Sequence, residues 1–152
     1  MDAKANVLEG IKRWNAHDRE GFLELFDEGI TFVDEPTGHR LVGRAELGKG
    51  FYDLWTQPYP DCELKDAIVF GEGELVCMRA RFVGTNTAAF HAPGLETELP
   101  ATGKKIDAPF VYIAEARNGK IVRAWHYYDR LLAFEQEGVL TVEKLFASLA
   151  VT

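Results

Sequence analysis

The chain has 152 residues, of which 47% are hydrophobic and 12% aromatic, and its formal net charge is -7. This length and apolar content predict one compact domain over residues 1–152, and the negative charge argues against a nucleic-acid partner. The two cysteines lack metal-ligand spacing and no segment is apolar enough to span a membrane, so we expect no metal site, no membrane contact and a cytoplasmic location.

The first half of the chain combines helical and strand patterns. Apolar residues recur at helical spacing in three segments, and one short segment alternates before a corner at Pro36-Thr37-Gly38. We therefore predict helices over about residues 3–16, 18–29 and 44–55, and a strand over residues 30–35.

The second half is dominated by long strands. Asn118-Gly119 is the strongest hairpin signal in the chain, and the segment 85–104, with two prolines and two glycines, predicts a long irregular excursion. The predicted elements are strands over 62–70, 75–84, 106–117 and 120–128, and short helices over 130–137 and after 141.

Helices followed by a meander of strands are typical of an α+β fold. We expect a cone-shaped, curved antiparallel sheet wrapped around the N-terminal helices. The mouth of such a cone is a usual place for a hydrophobic pocket.

The segment that ends in Asp129 is the first candidate site. Strand side chains alternate between faces, so Asp129 shares a face with Trp125 and Tyr127, whereas His126 points the other way. A carboxylate against aromatic walls could act as a general acid or base. Alternatively, Asp129 is the N-cap of the helix that begins at Arg130.

A second acidic point lies at the end of the first predicted strand. Alternation places Asp34 with Phe32 and Glu35 with Val33, so the two carboxylates face opposite sides of the sheet. Either one could enter the pocket as a second catalytic acid or base. The alternative is that both are solvated acids at a strand end.

Aromatic side chains are candidates for the pocket wall, and a tyrosine could also donate a hydrogen bond to an enolate. Filling the core is the alternative for each of them. A histidine in the predicted excursion could hang over the pocket mouth, or it could simply be solvated. The candidate ligand-contacting residues are Trp14, Trp55, Tyr59, Phe110, Tyr112, Trp125, Tyr127 and His91.

Four motifs occur in order between about residues 10 and 135. They are Trp14-Asn15-Ala16-His17-Asp18 leading to Phe22; Phe32-Val33-Asp34-Glu35-Pro36-Thr37-Gly38; Gly84-Thr85-Asn86-Thr87 followed by Pro100-Ala101-Thr102-Gly103-Lys104; and Asn118-Gly119-Lys120-Ile121-Val122 leading to Trp125 and Asp129. In order and spacing they resemble the nuclear transport factor 2-like superfamily and, within it, the SnoaL-like polyketide cyclases.

The resemblance implies cyclisation or isomerisation of a small hydrophobic carbonyl compound through an enolate, without a metal or organic cofactor. Asp129 stands where the family carries its acid/base aspartate. The corner after the first strand resembles the place where ketosteroid isomerases carry their base, and alignment on Pro36 favours Glu35. The resemblance also implies a homodimer formed through the convex sheet.

Two departures from the family pattern keep other functions open. Asn86 stands where relatives often have a histidine, and residues 106–116 contain no histidine to pair with Asp129. A ligand-binding or dimerisation module without catalysis is therefore the alternative hypothesis. A dehydratase or an epoxide hydrolase is a further alternative.

Overall fold

The structure is a computed structural model that describes residues 2–91 and 96–150. It begins with helix α1 over Ala3–Asn15, capped by Asp2, whose side chain accepts a hydrogen bond from the amide of Ala5 at 2.7 Å. Helix α1 buries Val7 and Trp14 on one face, as its apolar spacing predicts.

The second helix is shorter than predicted, because a strand begins where the helical pattern was expected to continue. Helix α2 spans Arg19–Leu23, and strand β1 spans Phe26–Asp34. Phe26 already pairs with Ile121 in a distant strand, so tertiary pairing overrides the local helical pattern here.

An unpredicted short strand follows the corner after β1. Strand β2, His39–Val42, pairs antiparallel with β1. The predicted third helix forms as one continuous stretch with a wider central turn: α3 over Arg44–Leu47, a π-helical segment over Gly48–Asp53, and α4 over Leu54–Thr56.

The remaining strands confirm the predicted meander. Asn118 and Gly119 both have positive φ angles, 50° and 77°, as a tight two-residue hairpin turn requires. The excursion that was predicted to be irregular contains a two-stranded hairpin, and its residues 92–95 lie outside the described ranges. The strands are β3 (Glu63–Glu72), β4 (Leu75–Thr85), β5 (Phe90–His91), β6 (Glu98–Leu99), β7 (Lys105–Arg117) and β8 (Lys120–Tyr128).

Six strands form one curved sheet in the order β2-β1-β8-β7-β4-β3, which confirms the predicted α+β fold. The pairing is antiparallel except between β1 and β8, which run parallel. This parallel pair is the exception within the predicted antiparallel sheet, and it arises because β8 returns from the far end of the chain to lie beside β1.

One face of the sheet packs on the N-terminal helices. Strand β4 buries Met78, Ala80 and Phe82 on that face, while Arg79 and Arg81 point outward as their alternation predicts. The chain closes with helices α5 (Arg130–Gln136) and α6 (Val142–Leu149).

Two kinds of feature are absent from residues 2–91 and 96–150. None of their helices is both long and apolar enough to cross a lipid bilayer. Their His, Cys, Asp and Glu side chains form no group of three or more that could hold a metal ion.

Candidate active site

An apolar cavity lies between helix α1 and the inner face of the sheet. It encloses about 780 Å³ of empty space, including the part that opens to solvent, and its wall is almost entirely apolar. Four of the predicted ligand-contacting residues line it, namely Trp14, Trp55, Phe110 and Tyr112.

Asp34 is the acidic residue at the end of β1 that turns inward. It is 8% exposed and lies on the same face as the buried Phe32, whereas Glu35 is exposed. The Thr37 hydroxyl donates a hydrogen bond to Oδ2 of Asp34 at 2.5 Å, and the Thr37 amide donates to the Asp34 carbonyl at 3.3 Å. The corner after β1 therefore fixes the carboxylate in place.

His126 lies beside Asp34 because β1 and β8 pair in parallel. The register places the two residues directly opposite each other, and Nδ1 of His126 is 3.4 Å from Oδ1 of Asp34, which is long for a hydrogen bond. His126 is buried and lines the cavity. As the alternation of strand side chains predicts, His126 and Asp129 point to opposite faces of the sheet. The face that carries His126 is the one that meets the cavity.

The charge states of this pair follow from its surroundings. Burial alone would raise the pKa of Asp34, but contacts with His126, Thr37 and the Tyr128 hydroxyl hold that pKa below its usual value. Burial lowers the pKa of His126, and the neighbouring Asp34 opposes this only in part. At neutral pH we therefore expect an ionised Asp34 and a neutral His126.

These charge states determine which nitrogen of His126 can act as a base. An ionised carboxylate only accepts hydrogen bonds, so the Nδ1 that faces Asp34 carries the imidazole hydrogen. Nε2 then keeps its lone pair. The tautomer is assigned from this hydrogen-bond logic.

Tyr112 flanks His126 on the side away from Asp34. The antiparallel pairing of β7 and β8 places Tyr112 opposite His126, so the three residues form a row across three adjacent strands. The Tyr112 hydroxyl is buried and has no hydrogen-bond partner among the described residues. Burial also raises its pKa, so the hydroxyl stays protonated. The register therefore places a residue with an unused donor opposite His126 on the neighbouring strand.

Aromatic rings surround His126 and account for its burial. The ring centroids of Phe51, Phe110 and Tyr128 lie 5.3, 5.4 and 4.9 Å from that of His126. Because these rings exclude water, the charged form of the imidazole is disfavoured.

Asp129 ends the same strand but lies outside the cavity lining. Its side chain is exposed and accepts a hydrogen bond from the amide of Leu132 at 2.9 Å, as the N-cap of α5. Trp125 is half-buried beneath the Arg123 guanidinium, and Tyr127 is 43% exposed. The prediction that Trp125 and Tyr127 line the pocket is therefore wrong, because their face of β8 points away from the helices.

Two further candidates also lie away from the cavity wall that the described residues form. Tyr59 is fully buried, and its ring packs edge-on against Phe82 with centroids 5.3 Å apart. His91 is exposed, with Nε2 2.9 Å from Oε2 of Glu98 in the β5–β6 hairpin. Tyr59 is thus a core residue, and His91 contacts its hairpin partner.

A β-bulge explains why the cavity-facing side of β8 is difficult to predict. The register shifts between Ile121 and Arg123, so Ile121 and Ala124 are both buried although they are three positions apart. Alternation counted from Ile121 therefore gives the wrong face for His126. The sequence feature that indicates the correct face is Arg123. A charged residue is expected to point outward, and by alternation Trp125 points the same way as Arg123.

The geometry can be compared with known proteins. A sequence profile described as SnoaL-like polyketide cyclase matches residues 7–137. No curated protein matches the chain.

Several solved structures are similar over most of the chain. A candidate polyketide cyclase from Pseudomonas putida KT2440 is 25% identical with a TM-score of 0.77, covering 90% of this chain and 98% of that one. AclR, a candidate hydroxylase from Streptomyces galilaeus, is 21% identical with a TM-score of 0.75, covering 91% and 97%. IdmH, a candidate polyketide cyclase from Streptomyces antibioticus, is 20% identical with a TM-score of 0.71, covering 91% and 100%. The last two likenesses concern the fold alone, and the profile match carries the assignment: the chain belongs to the SnoaL-like polyketide cyclase family.

Proposed function

We propose that the cavity binds a small, mostly apolar carbonyl compound and that His126 removes a proton from the carbon next to its carbonyl group. Membership of the SnoaL-like family supports this type of cyclase or isomerase chemistry. The observation that carries the proposal is the row of Asp34, His126 and Tyr112 across three adjacent strands, in which His126 and Tyr112 line the apolar cavity.

Each residue of the row has a distinct role in this scheme. Asp34 holds the Nδ1 hydrogen of His126 and stabilises the imidazolium that forms when Nε2 takes the proton. The Tyr112 hydroxyl donates a hydrogen bond to the carbonyl oxygen, which becomes the enolate oxygen. Where a carbon–carbon double bond adjoins the deprotonated carbon, the imidazolium then returns its proton to the far carbon of the resulting dienolate, which is an isomerisation. Alternatively, the enolate carbon attacks a second carbonyl of the same molecule, which closes a ring, and the proton goes to the new alkoxide.

The surroundings of His126 suit this role. A neutral imidazole is available at physiological pH because burial holds its pKa below the usual value. Asp34 remains ionised through its contacts with His126, Thr37 and Tyr128. The base and its orienting group therefore both start in the protonation states that the first step needs.

Asp129 is the competing candidate for the proton-transfer group, since it has the family's position. Its carboxylate is exposed and caps α5, so the geometry supports His126 more strongly. The two assignments predict different effects of single substitutions.

The test is hydrogen–deuterium exchange next to the carbonyl of α-tetralone, an apolar bicyclic ketone, in deuterated buffer. We expect the wild-type protein to accelerate exchange, and His126→Asn to reduce the acceleration by about 100-fold or more because general-base catalysis is lost. Asp129→Asn is the matched comparison, because Asn caps helices about as well as Asp and should leave the rate unchanged.

The reverse pattern, in which Asp129→Asn removes the acceleration and His126→Asn does not, would assign proton transfer to Asp129. Saturable binding of the ketone without any accelerated exchange would instead favour the ligand-binding module.

A further inference from the structure

The Tyr128 hydroxyl is a further donor to the carboxylate that faces His126. Tyr128 ends β8, two positions after His126 and therefore on the same face of the strand. Its hydroxyl donates a hydrogen bond to Oδ2 of Asp34 at 3.3 Å. Burial and the neighbouring charge of Asp34 raise the pKa of Tyr128 above its usual value, so the hydroxyl keeps its hydrogen at physiological pH.

The two oxygens of Asp34 have different kinds of partner. Oδ2 accepts hydrogen bonds from two hydroxyls, that of Thr37 at 2.5 Å and that of Tyr128 at 3.3 Å. Oδ1 faces Nδ1 of His126 at 3.4 Å, so the Thr37 hydroxyl lies much closer to the carboxylate than the imidazole does. A hydrogen bond to the ionised carboxylate stabilises that form and makes the carboxylate a weaker base.

Titratable side chains on neighbouring elements also lie around this pair. Tyr112 of β7 is opposite His126, His39 of β2 is opposite Asp34 and exposed, and Arg130 and Glu137 of α5 line the small cavity together with Tyr128. All four remain in the variant Tyr128→Phe, so this substitution isolates the effect of one hydroxyl.

The hydroxyl of Tyr128 affects the two charge states of His126 differently. While the imidazole is neutral, the charge of Asp34 is uncompensated, and a hydrogen bond to it is strong. Once the imidazole is protonated, its positive charge partly neutralises the carboxylate, so the same hydrogen bond is weaker. The hydroxyl therefore stabilises the neutral imidazole relative to the imidazolium.

We infer that Tyr128 is a positioning residue that acts on His126 through Asp34: its hydroxyl draws negative charge towards Oδ2, weakens the contact between Oδ1 and Nδ1, and keeps the imidazole neutral. The consequence for catalysis rests on the proposed function, because a neutral His126 is the base in that scheme. Without this hydroxyl, Asp34 would hold the proton on the imidazole more firmly and slow its return to the substrate.

The test is proton NMR of the Nδ1 hydrogen of His126, whose signal moves downfield as its hydrogen bond to Asp34 strengthens. The signal is assigned by its loss in His126→Asn. Tyr128→Phe removes the hydroxyl and keeps the ring, whose centroid lies 4.9 Å from that of His126. We expect this variant to move the signal downfield at neutral pH. It should also raise the titration midpoint of His126 by roughly 0.5 to 1 pH unit, a fraction of the effect of a full neighbouring charge.

Tyr52→Phe is the matched control. Tyr52 is 3% exposed, its hydroxyl has no hydrogen-bond partner among the described residues, and it lies outside the cavity lining that those residues form. Neither the signal nor the midpoint should move in this variant. The double variant Asp34→Asn/Tyr128→Phe should have the same His126 midpoint as Asp34→Asn alone, because the hydroxyl acts through the carboxylate.

The direction of the shift separates this role from a purely structural one. If Tyr128 only held Asp34 in place, its loss would weaken the contact with His126, move the signal upfield and lower the midpoint. That result, an unmoved signal, or an equal shift in Tyr52→Phe would each overturn the inference. If Tyr128→Phe does not fold, Thr37→Val removes the other hydroxyl on Oδ2 and should move the signal downfield in the same way; an upfield or unmoved signal there would overturn it too.

The inference and the proposed function fail in different ways. The NMR measurement needs no turnover, so a downfield shift in a protein that does not accelerate exchange of α-tetralone would refute the proposed function alone. Exchange that depends on His126, together with an unmoved or upfield signal in Tyr128→Phe, would refute the role of Tyr128 alone.

Discussion

Glu137 makes the stability of the protein depend on pH in a way that one substitution can isolate. It is 3% exposed, although it is an acidic residue, and it lies at the C-terminal end of α5, where the helix dipole disfavours negative charge. The rings of Trp55, Phe90 and Phe134 line the small cavity beside it.

Burial raises the pKa of Glu137 from 4.5 to about 7. A difference of this size between the unfolded and folded chain corresponds to roughly 3 kcal/mol of unfolding free energy. Because the folded-state pKa is the higher one, the stabilising contribution is complete below the unfolded pKa and is lost as the pH rises through the folded pKa. Glu137 thus makes the folded protein more stable at acidic pH than at alkaline pH.

The assay is urea unfolding of the wild type and of Glu137→Gln at several values between about pH 5 and about pH 8. Gln has nearly the same shape and no charge, so the difference between the two free energies isolates Glu137. As the pH rises across the window, we expect the unfolding free energy of the wild type to fall by about 2 to 3 kcal/mol relative to that of Glu137→Gln. His126, whose burial-lowered pKa favours the opposite trend, is present in both proteins and cancels. A difference that stays constant with pH would refute the reasoning.

The remaining predictions concern the cavity, the helix cap and the outer sheet. Tyr112→Phe should slow exchange of α-tetralone by about tenfold or more, with ligand affinity measured as a control, because the enolate loses its donor. The pH–rate profile should fall on the acid side below the usual pKa of histidine, since protonation removes the base, and Asp34→Asn should move this limb to lower pH because Asp34 opposes the burial that depresses the pKa of His126. Asp129→Ala should cost about 1 kcal/mol in urea unfolding while Asp129→Asn costs little, as expected of an N-cap. Phe70→Asp should dissociate the expected homodimer in light scattering, because Phe70 is 58% exposed on β3, and a monomeric wild type would contradict this.

Local rules were sufficient for much of the fold. The apolar spacing of α1, the alternation along β4 and the Asn118-Gly119 turn each depend on neighbouring residues, and each was predicted correctly. Asp34 was also placed on a defined strand face by alternation with Phe32.

The candidate site could be predicted only in part because it depends on long-range pairing. Asp34 meets His126 through a parallel register between the first and the last third of the chain, and no local pattern specifies that register. Trp125 was expected on the pocket wall because it shares a face with Asp129, but beyond the bulge before Ala124 it is His126 whose face of β8 meets the cavity. What the sequence did not predict is which strands pair and which face of β8 points inward. Asp34 and Tyr112 were predicted as candidate site residues, and His126 is the immediate neighbour of the candidate Trp125.

The parallel pairing of β1 with β8 also has a consequence for the order of folding. The hydrogen bond from the Tyr128 hydroxyl to Asp34 joins residues 94 positions apart, so the acid/base pair can form only after a very long loop has closed. Contacts of such high sequence separation carry a large entropic cost and tend to form late. The helices and the two long hairpins can therefore assemble before Asp34 and His126 meet, so the proposed proton transfer would report on completion of the native sheet.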